Sequence, residues 1–211
     1  MEKKIILFDL DGTLTDSGEG ILNCGEIVLR HFGLDVPSRE NMRCMVGPPL
    51  SESFLRFGVK QEDIAEAIEI YRAHYTKEGI FQNFPYPGIR QLLQKLHSQG
   101  HTLCVATSKP EYMAKIILEH FELAGYFHLI CGASNDSVRS TKSEVIAYLL
   151  EMLPTRENII MVGDTVYDVV GAAEFGIPAV GVAWGYGSVS EMLTSGATAV
   201  AYSTQELFDL L

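Results

Sequence analysis

The sequence has no run of basic residues, no long apolar stretch and no closely spaced pair of cysteines. Its 211 residues include 16 Lys and Arg against 27 Asp and Glu, a formal net charge of −11. This acidic balance argues against sequence-independent binding to nucleic-acid phosphates. No segment approaches the roughly 18 continuous apolar residues of a membrane helix, and the N-terminus lacks a signal-peptide pattern. The chain is therefore expected to bind neither nucleic acid nor membrane.

The cysteines are few and scattered: Cys24, Cys44, Cys104 and Cys131. Cys104 and Cys131 fall inside apolar runs, which favours buried free thiols over a disulfide framework. We therefore expect a cytoplasmic protein. The sequence leaves a monomer and a homodimer open.

Short apolar runs alternate with helical patterns along most of the chain. The predicted strands are 5–8, 103–106, 127–131, 159–162 and 179–182, and the predicted helices between the later ones are 89–97, 112–121, 145–152 and 169–175. Strands that alternate with helices predict an α/β fold with a doubly wound parallel sheet.

One connection is much longer than the others. About 90 residues separate Asp11 from the strand at Leu103, whereas a simple βαβ unit takes roughly 30. The excess is rich in amphipathic helix. We predict an α/β core from residues 1–16 and 84–211 and an inserted helical domain, a lid, over 17–83.

Charged and hydroxyl side chains follow several of the predicted strands. Asp9 and Asp11 follow the first, Thr107 follows the second, and Asp164 and Asp168 follow a later one. Gathered at one sheet edge, the carboxylates would repel one another. A bound divalent cation would relieve that repulsion, and oxygen ligands suit Mg²⁺ best. Taken singly, the first motif is equally consistent with a solvated turn. The GDTVYD motif, taken singly, favours a helix start with Asp164 as the N-cap.

In order along the chain, DLDGT, a strand-end threonine, a lysine before a helix and GDTVYD resemble the four motifs of the haloacid dehalogenase superfamily of phosphatases. The helical insert resembles that superfamily's C1-type cap. The stretches LFDLDGTLTDSGEGI, VGPPLSESF, VATSKPE and GVAWGYGS are most similar to its phosphoglycolate phosphatase-like and 5′-nucleotidase-like branch.

The resemblance implies roles for the acidic residues. Asp9 matches the nucleophile and Asp11 the general acid/base. Asp164 would bind Mg²⁺ with the Asp9 side chain and the Asp11 backbone carbonyl, and Asp168 would support the metal. Gly12 would let the chain turn tightly around a phosphate, with backbone N–H groups facing it.

The resemblance also implies phosphate-binding residues. Thr107 matches the phosphate-binding hydroxyl and Lys142 the phosphate-binding lysine; Lys109 is a weaker candidate for the second role. Two interpretations stay open for Ser108: a phosphate contact beside Thr107, or the N-cap of an S-x-x-E capping box with Glu111, which we favour.

The substrate would be a small phosphorylated metabolite. Gly47, Pro48 and Arg43 resemble part of a specificity loop carried by such caps, although a solvated helix face is the favoured interpretation of the arginine. The resemblance favours a nucleoside 5′-monophosphate slightly, with phosphoglycolate as the alternative. A phosphosugar mutase and a non-hydrolytic phosphoacceptor domain are further alternatives.

Overall fold

The computed structural model describes residues 2–135 and 138–211. The chain folds as two compact units. One runs up to Thr15 and continues from Pro85 to Leu211, and the other spans Asp16–Phe84. The assignment of these units as a catalytic core and a cap stays a prediction.

The first unit is built around a parallel sheet flanked by helices. Its strands are β1 (Ile5–Phe8), β4 (Thr102–Pro110), β5 (Leu129–Ala133), β6 (Ile159–Gly163), β7 (Ala179–Val182) and β8 (Ala199–Ala201). Its helices are α5 (Ile89–Ser98), α6 (Glu111–His120), α7 (Lys142–Met152), α8 (Val166–Ala173), α9 (Val189–Thr194) and α10 (Thr204–Leu210), with a 3₁₀ turn at Ala124–Tyr126. A separate two-stranded sheet pairs β2 (Thr15–Asp16) with β3 (Phe84–Pro85).

The six-stranded sheet has the order β5-β4-β1-β6-β7-β8, with parallel pairing throughout. The predicted α/β fold class is thus confirmed. The chain builds outward from β1 to β5, then crosses to the other side of β1 to form β6. Such a switch leaves a crevice at the carboxyl ends of the central strands, where ligands bind in open α/β sheets.

Strand β1 lies at the centre of the sheet, and all four of its residues, IILF, are buried. An unbroken apolar run fits this position because a central parallel strand is covered on both faces. Side chains of β1, β4, β6 and β7 pack with those of α7 and α8 in one hydrophobic core. This core gives the polar residues that follow the strands a rigid support.

The second unit is helical. It contains α1 (Gly18–His31), α2 (Arg39–Met42), α3 (Leu50–Arg56) and α4 (Ile64–Tyr75), with 3₁₀ turns at Arg43–Met45, Gln61–Asp63 and Gly79–Phe81. Its core includes Leu29, Phe54, Tyr71 and Tyr75. The Tyr71 and Tyr75 rings stack one helical turn apart, with centroids separated by 5.4 Å.

Several boundaries differ from the sequence-based expectation. Strand β4 continues to Pro110, with a break in register between Ala106 and Pro110. Strand β5 begins two residues later than predicted, and α7 and α8 each begin three residues earlier. The pattern missed β8, α9 and α10, which are short and only partly buried.

Among the described residues, no helix is both long and apolar enough to cross a membrane. The predicted burial of Cys104 and Cys131 is confirmed, and both are free thiols. Burial raises the pKa of Cys104 to about 11 and that of Cys131 to about 12.

Candidate active site

The polar residues singled out in the sequence meet at the carboxyl ends of β1, β4 and β6. Phe8 pairs in register with Val105 on one side and Val162 on the other. The three strands therefore end at about the same level. The Asp9 N–H continues the ladder by donating to the carbonyl oxygen of Val162 at 2.9 Å.

Three carboxylates form a buried acidic cluster at this edge. Asp9, Asp164 and Asp168 each offer an oxygen within 4.8 Å of the other two. All three residues are buried, with 8%, 0% and 0% of their surfaces exposed. Like charges this close raise each other's pKa unless cations compensate them, so the cluster is suited to holding a metal ion.

Asp164 is held by neighbours on two other segments. Thr13 donates its hydroxyl to Asp164 Oδ1 at 3.2 Å, and the Tyr186 N–H donates to Oδ2 at 2.8 Å. The pKa of Asp164 is raised well above its usual range, first by burial and then by the charges of Asp168 and Asp9.

Two glycines make room for the Asp164 carboxylate. A Cβ atom on Gly12 would lie 2.2 Å from Asp164 Oδ2, and one on Gly185 would lie 2.3 Å from it. Gly12 also has a φ of +86°, a conformation that other residues rarely adopt. The sequence pointed to Gly12, but the parts played by Gly185 and the Tyr186 N–H depend on a loop that returns from β7.

Asp168 is tied into the start of α8. Thr165 is the N-cap, and its backbone N–H and hydroxyl both donate to Asp168 Oδ2, at 3.0 and 2.9 Å. The alternative in which Asp164 caps this helix is therefore wrong. The other oxygen, Asp168 Oδ1, lies 2.7 Å from Lys142 Nζ.

Lys142 brings a buried positive charge to the cluster. Thr141 and Glu144 form the predicted capping box, which places Lys142 first in α7. Its Nζ lies 2.8 Å from Asp9 Oδ1 and donates to the Ala106 carbonyl at 2.8 Å. Burial alone would lower the pKa of Lys142, but the charges of Asp168 and Asp9 outweigh it and raise the pKa above the usual range.

The pKa of Asp9 is raised to about 6. Burial is the largest cause; Lys142 opposes it, and Asp168 adds to it. Thr107, which is also buried, hydrogen-bonds the Asp9 carboxylate and favours its charged form. Asp9 therefore lies among groups that partly compensate its charge.

Asp11, two residues beyond Asp9, is paired with a different lysine. Lys109 Nζ lies 2.8 Å from Asp11 Oδ2, and the two side chains are 6% and 15% exposed. The two lysines left open by the sequence thus have different partners: Lys142 contacts Asp9, and Lys109 contacts Asp11.

The favoured capping box of Ser108 with Glu111 is wrong. Helix α6 begins at Glu111 with Pro110 as its N-cap, and Pro110 supplies no side-chain cap. The reason is that Ser108 still belongs to β4, in the stretch where its register shifts. The Glu111 carboxylate instead contacts Lys115 and Arg139, at 2.7 and 3.0 Å. A phosphate contact by Ser108 stays a prediction.

Trp184 fixes the loop that follows β7. Its indole N–H donates to the Thr13 carbonyl at 3.1 Å, and its ring lies 6.4 Å from that of Tyr86. Trp184 therefore connects this loop to the turn that follows the two aspartates.

The predicted specificity residues lie in the helical unit. Arg43 begins a 3₁₀ turn and is exposed, and Gly47 follows in an exposed position with a φ of +109°. Pro48 is partly exposed, two residues before α3. A role of these residues in substrate choice stays a prediction.

A family profile described as haloacid dehalogenase-like hydrolase matches residues 6–182. The chain belongs to this family. The match spans all of the strand ends described above and the helical unit. This haloacid dehalogenase-like protein is a phosphatase, as relatives named 5′-nucleotidase and phosphoglycolate phosphatase and a solved structure named a phosphatase support.

Its curated relatives carry different names. Tyrosine-protein kinase PtkA of Mycobacterium tuberculosis is 42% identical over 201 residues, 95% of this chain and 69% of that protein. A 5′-nucleotidase of Pseudomonas aeruginosa is 39% identical, over 89% of this chain and 86% of the nucleotidase. A phosphoglycolate phosphatase of Aquifex aeolicus is 33% identical, over 87% and 86%.

Among solved structures, a predicted phosphatase from Clostridium acetobutylicum superposes with a TM-score of 0.94 at 42% identity. The alignment covers 100% of this chain and 98% of that one. The haloacid dehalogenase-like fold is thus shared along the whole chain.

Proposed function

We propose that this phosphatase is a Mg²⁺-dependent phosphomonoesterase that acts through an aspartyl-phosphate on Asp9. The observation that carries the proposal is the buried acidic cluster beside Lys142. A catalytic site for phosphate esters needs a nucleophile, cations for the phosphate and an acid for the leaving group.

The charge balance of the acidic cluster fits a divalent cation. Asp9, Asp164 and Asp168 bring three carboxylates, and among the residues described Lys142 is the basic side chain in contact with them. Two negative charges are therefore left for an ion to compensate. Oxygen-only ligands suit Mg²⁺, which when bound would neutralise phosphate charge and orient the phosphoryl group.

Both carboxylate oxygens of Asp168 contact neighbouring groups of the chain. Asp168 Oδ2 accepts two hydrogen bonds from Thr165, and Oδ1 pairs with Lys142. Asp168 is thus suited to orienting Lys142. Asp9 and Asp164 would bind the metal with the Asp11 backbone carbonyl, as the likeness to the family's metal-binding motifs implies.

Asp9 would attack phosphorus in the first step. A carboxylate and a phosphate anion about 4 Å apart repel by roughly 4 kcal/mol at an effective dielectric of 20, so the attack needs cations nearby. Lys142 and Thr107, both in contact with Asp9, are placed to bind phosphate oxygens, together with N–H groups around Gly12 and the Ser108 hydroxyl.

Asp11 would supply and recover the proton. As the bond from phosphorus to the ester oxygen breaks, that oxygen takes the proton of the Asp11 carboxyl group. In the second step the Asp11 carboxylate takes a proton from water, whose oxygen attacks phosphorus and releases phosphate from Asp9.

The substrate is proposed to be a small phosphorylated metabolite, slightly favouring a nucleoside 5′-monophosphate. The relative named 5′-nucleotidase supports this choice, and the relative named phosphoglycolate phosphatase supports the alternative. The helical unit would act as the cap, with Gly47, Pro48 and Arg43 contributing to the choice.

Two further activities use a similar aspartate. A phosphosugar mutase would return the phosphoryl group to its substrate instead of releasing it. A phosphoacceptor domain would need neither an acid two residues after the acceptor nor a helical insert, so Asp11 and residues 16–84 speak against it.

Phosphate release from a panel of monoesters tests the proposal. The panel holds nucleoside monophosphates, phosphoglycolate and hexose phosphates, each with Mg²⁺ and with EDTA. Wild type is compared with Asp9→Asn and with Lys115→Met, a control that removes an exposed lysine on α6. We expect release that requires Mg²⁺, is abolished by Asp9→Asn and is retained by Lys115→Met.

Two control reactions separate hydrolysis from transfer. Glucose phosphate isomers are assayed for interconversion without phosphate release, and ATP with a tyrosine peptide is assayed for peptide phosphorylation, because one relative is named a tyrosine kinase. Transfer in either reaction, with no release from any ester, would refute the proposed hydrolysis.

A further inference from the structure

The Asp11–Lys109 pair uses only one of the two carboxylate oxygens. Lys109 Nζ donates to Asp11 Oδ2 at 2.8 Å. Asp11 Oδ1 is buried and has no hydrogen-bond partner among the described residues. A buried carboxylate oxygen without a partner is costly, so its presence beside the nucleophile calls for a functional explanation.

The backbone of Lys109 is held by contacts with neighbouring residues. It lies in the stretch of β4 where the register breaks, and its N–H donates to Thr107 Oγ1 at 3.3 Å. A Cβ on Gly132 of β5 would lie 2.5 Å from the Lys109 carbonyl oxygen, so the two strands are in close contact here. This short segment therefore presents Thr107 to Asp9 and Lys109 to Asp11.

We propose that Lys109 is a positioning residue for Asp11. By holding Oδ2, it fixes the rotation of the carboxyl group and leaves Oδ1 to exchange the proton with the ester oxygen and later with water. The inference rests on the proposed function, in which Asp11 is the general acid and base. In this inference Lys109 orients the general acid Asp11, whereas Lys142 contacts the nucleophile Asp9 and binds the phosphate.

The two lysines should then have separable effects. A lysine that binds the phosphate would raise the rate of cleavage of every ester and the affinity for every phosphate-like inhibitor. A lysine that orients the Asp11 carboxyl group would raise the rate of cleavage only for esters whose leaving oxygen needs a proton. An alkoxide needs that proton, whereas p-nitrophenolate is a weak base that departs without it.

The test compares kcat/KM for p-nitrophenyl phosphate with kcat/KM for the best alkyl monoester of the panel. This parameter covers the steps up to departure of the first leaving group, so the later attack by water does not enter it. The variants are Lys109→Met, Asp11→Asn, the double variant and Lys115→Met as a matched lysine control. The inhibition constant of inorganic phosphate is measured for each.

Lys109→Met should lower kcat/KM for the alkyl ester about 100-fold, at the low end of what general acids contribute, and for p-nitrophenyl phosphate by no more than about 3-fold. The inhibition constant of phosphate should stay within about 2-fold of wild type, since Lys142 is intact. Lys115→Met should match wild type in all three measurements.

The double variant keeps the test decisive if Lys109→Met alone folds poorly, because it removes both charges of the pair. If Lys109 acts through Asp11, adding Lys109→Met to Asp11→Asn costs no further activity. An equal loss on both esters, a weaker phosphate inhibition or additive losses in the double variant would overturn the inference. Wild type that releases no phosphate from any ester would instead refute the proposed function, and the inference with it.

Discussion

The two ends of the six-stranded sheet bury polar groups in opposite ways. At the amino ends of the strands, His101 Nδ1 accepts a hydrogen bond from the Lys4 N–H at 3.1 Å, and the Asn158 carbonyl accepts from the Ile5 N–H at 2.9 Å. At the carboxyl ends, three carboxylates share the charge of Lys142.

This difference distinguishes buried polar groups that stabilise the fold from buried polar groups that are suited to binding a ligand. Buried polar groups that are satisfied within the chain stabilise the fold, whereas a surplus of buried charge of one sign costs stability unless a ligand compensates it. We therefore expect substitutions at the carboxyl ends to change activity as well as stability, and substitutions at the amino ends to change stability alone.

Asp164→Asn should show the largest effect. Its activity should fall at least about 1000-fold, because the variant loses a proposed metal ligand. Mg²⁺ should raise the melting temperature of wild type and not that of the variant, since one of the three carboxylates that the ion would compensate is gone. Thermal melts with EDTA and with Mg²⁺ check this, and equal stabilisation of the two proteins by Mg²⁺ would contradict a metal site at Asp164.

Gly12→Ala should be the next most damaging. The new methyl group would meet Asp164 Oδ2 at 2.2 Å, and the φ of +86° adds strain. We expect activity to fall about 100-fold from displacement of the carboxylate, together with about 1–3 kcal/mol of destabilisation.

Gly176→Ala is the matched control for that substitution. Gly176 also has a positive φ, of +67°, but a Cβ there would meet nothing within 4 Å. It should therefore lose stability and keep its activity. Equal activity losses in the two variants would show that backbone strain, and not the contact with Asp164, is responsible.

Gly171→Ala should have a smaller effect through Lys142. A Cβ on Gly171 of α8 would lie 2.9 Å from Lys142 Cγ and 3.0 Å from its Cβ. Overpacking of about 1–3 kcal/mol is offset in part by the roughly 1 kcal/mol better helix propensity of alanine.

We expect activity of Gly171→Ala to fall about 10-fold, as a shift of Lys142 by part of an ångström would produce. Gly125→Ala, where a Cβ would meet nothing within 4 Å, is the control and should retain wild-type kinetics. Unchanged kinetics in Gly171→Ala would indicate that Lys142 does not need its observed position.

His101→Gln should affect only the pH dependence of stability. Burial and then the charge of Lys4 lower the pKa of His101 from its usual 6.5. Its neutral form therefore stabilises the fold above about pH 6.5, and that contribution is lost as pH falls from there toward the lowered pKa.

Glutamine can accept the Lys4 N–H without titrating, so the variant should lose less stability than wild type between pH 7 and 5. Urea unfolding across this range, with phosphate release as a parallel readout, is the measurement. An identical pH dependence of the two proteins would exclude His101 as the source.

Much of the fold and the candidate site could be predicted from the sequence because the signals are local. The run Ile5–Phe8 followed by Asp9, Asp11 and Gly12 combines a buried strand with a turn, and Thr141 with Glu144 marks the start of α7. The end of β4 could not be predicted in this way. Ser108 and Glu111 have capping-box spacing, but pairing with β5 keeps the chain extended to Pro110.

The sequence by itself determined the order of the central strands and of α5 to α8, the helical insertion and the acidic residues that follow the strands, since period and spacing are properties of neighbouring residues. Only the tertiary structure decided which groups meet. The pairing of Lys142 with Asp9 and Asp168, of Lys109 with Asp11, and of the Tyr186 N–H with Asp164 spans 22 to 133 residues of chain. Such contacts follow from strand order and packing, because residues distant in sequence meet only once the sheet has formed.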